Sequence, residues 1–127
     1  MKKNGFTLIE LLAVIIILAI VALIATPIVL NVVDEARTSA AKSEASMIVS
    51  GVTNYCAAAE MRHEVDSTKE DICADGVTAT EVATMVDLGN ASVTSVTYDA
   101  TTNKVTALNI SSNTKTVAYD GTTYTVQ

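Results

Sequence analysis

Residues 1–30 read MKKNGFTLIELLAVIIILAIVALIATPIVL, and this stretch decides the fold. Lys2 and Lys3 are positive, Gly5 abuts Phe6 (the one Phe of the chain), and Glu10 stands inside an otherwise greasy segment. Leu11 to Ala25 is apolar throughout, and up to Leu30 only Thr26 and Pro27 interrupt. About 20 apolar residues at a rise of about 1.5 Å each cross a bilayer core as a helix. A carboxylate placed in such a segment costs about 2.5–3.5 kcal/mol on insertion scales. Keeping Glu10 there implies that it is used.

Two plainer readings fit less well. A secretory signal peptide has an apolar core of roughly 7–15 residues closed by a small A-x-A-like site. The core here is longer, and no such triplet closes it. A simple membrane anchor fits the length but explains neither Glu10 nor the Gly-Phe pair before it.

The basic leader, Gly5, the Phe6-Thr-Leu-Ile-Glu10 run and the apolar helix after it resemble the class III signal of type IV prepilins. The resemblance is specific over residues 1–30 and architectural beyond them. It implies that a membrane aspartic peptidase, the prepilin peptidase, cuts between Gly5 and Phe6, and that Phe6 becomes an N-methylated N-terminus. Asn4, where Lys or Arg is commonest, departs from the pattern. The resemblance further implies a homopolymer of identical subunits built by the pilus assembly machinery. The precursor would be a single-pass protein of the cytoplasmic membrane, N-terminus inside, and the product an extracellular pilus on the bacterial surface. Glu10 then has two readings. Its carboxylate could meet the Phe6 ammonium of a neighbouring subunit and set assembly register, a pairing whose merit is specificity rather than net energy. It could instead complement the dipole at its own helix N-terminus.

Composition narrows the remainder. The chain has 127 residues and is 50% hydrophobic, but much of that apolar content lies in residues 6–33. Residues 34–127 read as one small head. The net charge is −6, and loss of Lys2 and Lys3 leaves six basic groups against 14 acidic ones, a net −8. The basic residues are scattered and there is no Trp, whereas nucleic-acid binding wants a basic stripe with stacking aromatics. No nucleic-acid partner is expected. The positive leader holds the N-terminus in the cytoplasm, so the head faces outward, where oxidising conditions favour a structural disulfide between Cys56 and Cys73. In the loop-closure model such a bond stabilises by roughly 3 kcal/mol. Two buried free thiols are the alternative.

The expected fold is α+β: a long N-terminal helix packed against a small C-terminal antiparallel β-meander. Residues 1–5 form the leader, 6–33 a transmembrane and filament-core helix, and 34–127 the head. Within the head, 34–60 reads as an amphipathic helix, with Val33, Ala36, Ala40, Met47, Ile48, Gly51, Tyr55 and Ala58 as its apolar stripe. Residues 61–77 read as a loop tied back by the cystine, and 78–89 as a short helix opened by a Thr78–Glu81 capping box and ended by Gly89. Strands are expected near 93–98, 104–110, 115–119 and 122–126 within 93–127, the last pair turning at Asp120-Gly121. Pro27 removes a donor to the Leu23 carbonyl, so the helix is expected to kink or unwind across Leu23–Pro27. In relatives of this family the region often melts in the filament.

No catalytic set, metal site or cofactor is expected, and the protein is not expected to be an enzyme. His63 reads as a solvated surface residue. Asp66, Glu70, Asp71 and Asp75 lack the ligand spacing of a calcium loop. Asn90 and Asn109 head glycosylation sequons that a bacterial filament need not use. The expected function is a structural pilus subunit serving adhesion, twitching motility or aggregation. A pseudopilin of a type II secretion or competence system is the alternative in the same class, and a membrane-tethered binding module the alternative outside it.

Overall fold

The computed structural model describes residues 5–127. It has two helices and four strands: α1 (Leu8–Val65), α2 (Ala79–Met85), β1 (Ser92–Asp99), β2 (Lys104–Ser112), β3 (Lys115–Tyr119) and β4 (Tyr124–Val126). Contacts divide the chain into two units, Met1–Ala36 and Arg37–Gln127.

In the first unit, α1 starts at Leu8 and stays helical through Leu23–Pro27. Pro27 has no N–H to give the Leu23 carbonyl, while Thr26 Oγ1 donates to the Ala22 carbonyl at 2.6 Å. One missing bond leaves the flanking turns intact.

In the second unit, α1 buries Ala41, Ala45, Ile48, Val52, Cys56 and Ala59, spaced by three or four residues. This corrects the expected stripe. Met47 is 63% exposed, Ala40 and Ala58 are exposed, and of the stripe expected in this unit only Ile48 is fully buried. The buried line is rotated by one residue over much of its length, about 100° of helix. The buried line carries small residues at 41, 45, 56 and 59, while the larger Met47 stays at the surface. The helix also runs on to Val65, five residues past the expected end.

The sheet is an antiparallel meander in the order β1-β2-β3-β4. Its inner face carries two complete apolar rows across the strands. Val93, Ile110, Val117 and Val126 form one, and Val96, Leu108, Tyr119 and Tyr124 the other. Tyr119 and Tyr124 stack with ring centres 4.6 Å apart. The register slips once between Val93 and Ser95, and again where Thr97 and Tyr98 face Ala107 and Val105. Each slip adds one residue to one strand. Val93-to-Val96 and Val105-to-Leu108 are therefore three-residue steps between inward side chains.

Polar links between described residues fasten the sheet to α1. Ser112, buried at the end of β2, donates to Glu44, and Asn103 Nδ2 donates to Glu60 at 2.6 Å while accepting from the Tyr98 hydroxyl. Burial, then the charge of Glu60, pushes the Tyr98 phenol above its ordinary range.

The capping box at α2 forms as expected, with the Thr78 amide donating to Glu81 at 2.7 Å. The helix itself ends at Met85, short of Gly89, and Val86 leaves it to lie against α1. A Cβ on Gly51 would sit 2.6 Å from Val86 Cγ2. Gly51→Ala should therefore destabilise the head by about 1–3 kcal/mol. Denaturant unfolding in detergent should show Gly51→Ala and Val86→Ala to be non-additive, with the double variant more stable than the two single losses imply.

The β3–β4 connection runs through Asp120, which accepts from the amides of Thr122 and Thr123 at 2.9 and 2.8 Å and from both hydroxyls. These bonds, the Thr123 amide first, hold its carboxyl well below the usual range. A depressed folded pKa means stability that is present above the unfolded carboxylate range and lost as pH falls through the folded value. The stability gap between wild type and Asp120→Asn should be flat from neutral pH to about pH 5 and shrink below about pH 4. A gap that widens with acid would contradict this.

Candidate functional site

The start of α1 is built by Thr7 and Glu10. The Thr7 amide donates to Glu10 Oε2 at 2.9 Å, and the Thr7 hydroxyl to the same oxygen at 2.7 Å. The Glu10 amide in turn reaches Thr7 Oγ1 at 3.3 Å. This is a capping box with Thr7 as N-cap and Glu10 at the third helical position. Both bonds to the carboxylate use Oε2.

Gly5, Phe6 and Thr7 precede the helix. Phe6 is 91% exposed, and no atom lies within 4 Å of where a Gly5 side chain would start. The Gly5–Phe6 bond therefore lies in open, non-helical backbone that an enzyme can bind. Met1, Lys2, Lys3 and Asn4, the rest of the expected leader, lie outside the described residues.

On both sides of the cap, every large apolar residue from Phe6 to Val33 is 41–91% exposed. The helix is long and apolar enough to cross a membrane, and no part of its most apolar window is buried by protein. At about 25 cal/mol per Å² of apolar surface, such a segment is driven into lipid or against other apolar helices.

The other candidates have local duties in the head. Cys56 and Cys73 form a disulfide with Cα atoms 5.6 Å apart, both residues buried. His63 is exposed but not merely solvated: its Nδ1 lies 2.6 Å from the Lys69 carbonyl and donates to it, fastening the loop to the end of α1. Asp66 accepts from the Thr68 amide and hydroxyl at 3.1 and 2.7 Å, and the hydroxyl foremost holds its carboxyl below the usual range. Asp71 accepts from the Cys73 amide at 3.1 Å. Glu70, Asp71, Asp75 and Glu81 line an open cleft of about 450 Å³, yet no group of three His, Cys, Asp or Glu among the described residues could hold a metal ion. Asn109 donates to Ser95 at 2.8 Å, and Asn90 is exposed.

Sequence reasoning missed Thr7. The signal was present, because Thr7-x-x-Glu10 repeats the pattern that identified Thr78-x-x-Glu81.

Residues 1–26 match the family model described as the prokaryotic N-terminal methylation motif. The chain thus carries the class III signal of type IV pilins and pseudopilins ahead of a long apolar helix. That motif marks structural, pilin-type subunits, not an enzyme family, and goes with a membrane-anchored precursor that prepilin peptidase processes for a pilus-like polymer. No curated protein and no solved structure matches the chain.

Proposed function

We propose that the chain is a structural subunit of a type IV pilus. The single observation that carries this is the methylation motif running directly into a helix whose apolar half is uncovered by protein. Cleavage between Gly5 and Phe6 removes both leading lysines and gives Phe6 a new, N-methylated ammonium. The Thr7 amide survives the cut, so the capping box persists in the mature subunit.

Glu10 then serves twice. Within its own subunit it closes the helix start through Oε2, and toward a neighbour it offers a carboxylate held in one orientation to the Phe6 ammonium. The pair forms when apolar helices bundle, which removes the penalty of an uncompensated charge among hydrocarbon. Leu23–Pro27, where the ladder already lacks one bond, is the place for the helix to open during packing. The heads, net acidic and held by the cystine, face solvent.

Electron microscopy of material sheared from the cell surface tests this reading. Long, regular fibres made of this chain support it. A pseudopilin, which shares the motif, would give no long surface fibre in the native strain, and a tethered module would give no polymer at all.

A further inference from the structure

Charge is divided unevenly within the head. Residues 37–91 hold nine Asp or Glu against four Lys or Arg, whereas residues 92–127 hold two against two. In the sheet those four sit at strand ends or turns: Asp99 opposite Lys104, Lys115 at the start of β3, and Asp120 in the β3–β4 turn. The outer face between them carries Ser95, Thr97, Asn109, Thr116, Ala118 and Thr125. Ser95, Asn109, Ala118 and Thr125 align as one straight row across all four strands. This face is an uncharged layer of small, mostly hydroxyl side chains on an otherwise acidic head.

Resting on the filament reading above, we infer that this sheet face is the lateral contact between fibres and that its occupant is the same face of a second copy. Two heads approaching through any acidic part of residues 37–91 bring like charges together. Face to face through the sheet, they do not. Threonine has a restricted χ1 and serine is short, so pressing these residues together costs little side-chain freedom. Hydroxyls both donate and accept, so identical faces can satisfy each other directly or through a water.

Size decides how such a contact works. Four strands about 4.8 Å apart and about 20 Å long give roughly 400 Å² per copy, or about 800 Å² in total. Stable pairs bury about 1,200–2,000 Å². One pair of heads therefore stays apart, while a fibre repeating the contact along its length gains by avidity. Lateral association becomes a property of the polymer alone.

The test uses assembled fibres from cells making wild type, Thr116→Glu or Thr116→Lys, imaged at low and high salt. Wild-type fibres should bundle, more so at high salt, because screening weakens repulsion between acidic heads. A face that meets itself rejects a new charge of either sign, so both variants should lower the bundled fraction at least tenfold while single fibres persist. Thr116→Ser should bundle like wild type. A Lys variant that bundles more than wild type would assign the contact to the acidic flank of a neighbour and overturn the face-to-face arrangement. Bundles unchanged in both charged variants, or wild-type fibres that stay single at all salts, would overturn it while leaving the filament reading intact. No fibres from wild type would overturn that reading, and this contact with it.

Discussion

Glu10→Ala and Glu10→Gln should both give normal processing at Gly5, normal membrane levels and at least tenfold fewer fibres. The pair of variants separates the two roles of the carboxylate. Glutamine fits a capping box as glutamate does, so Glu10→Gln keeps the start of α1 closed on Thr7. It cannot answer a neighbour's ammonium with a charge. If register comes from the charge pair, glutamine fails almost as badly as alanine. The head should be untouched in both, because its core is assembled wholly within Arg37–Gln127. Co-expression with wild type should rescue some incorporation, since each variant still offers its own Phe6 amine. Abundant fibres from Glu10→Gln alone would reduce the role of Glu10 to its local cap. Abundant, regular fibres from Glu10→Ala would show that apolar packing sets the register.

Loss of the cystine should have the next largest effect. Residues 66–78 contain neither helix nor strand, and the bond between Cys56 and Cys73 ties this segment to the middle of the head's core. Cys56→Ser with Cys73→Ser should destabilise the head by about 2–5 kcal/mol. A domain of this size has only about 5–15 kcal/mol in all. At about 4–8 °C per kcal/mol, the unfolding midpoint of the full chain in detergent should fall by about 10 °C or more. An unchanged midpoint would mean that the His63–Lys69 and Asp71–Cys73 hydrogen bonds hold the loop without the cystine.

The features legible in the sequence were those whose signals are local. The run from Leu11 to Leu30 and the Thr78–Glu81 box depend on neighbours within a few residues. The Asp120-Gly121 turn falls where expected but is longer than the expected two residues, because Asp120 gathers Thr122 and Thr123 into the connection and β4 starts only at Tyr124. The broken alternation after Val93 was visible, but its cause was not. Residues added to β1 after Val93 and to β2 after Val105 shift the inward set by one place, and only the partner strand reveals them. Asn113 and Thr114 both take positive φ in the turn between β2 and β3, a conformation a β-branched threonine rarely adopts. Composition gives no warning of it. The helix stripe differs for a related reason: hydrophobicity points to Met47, yet the tertiary core takes the alanines at 41 and 45 and leaves Met47 exposed. Gly51 falls on the expected apolar stripe, but its role, admitting Val86, depends on a segment 35 residues away.

The most direct test is the N-terminal mass of subunits in fibres sheared from the cell surface. Cleavage at the open Gly5–Phe6 bond predicts that every subunit begins at Phe6 and carries one methyl group on its amine. Fibres whose subunits still begin at Met1 would contradict the proposed route from precursor to polymer, and with it the pairing of Glu10 to a neighbour's Phe6.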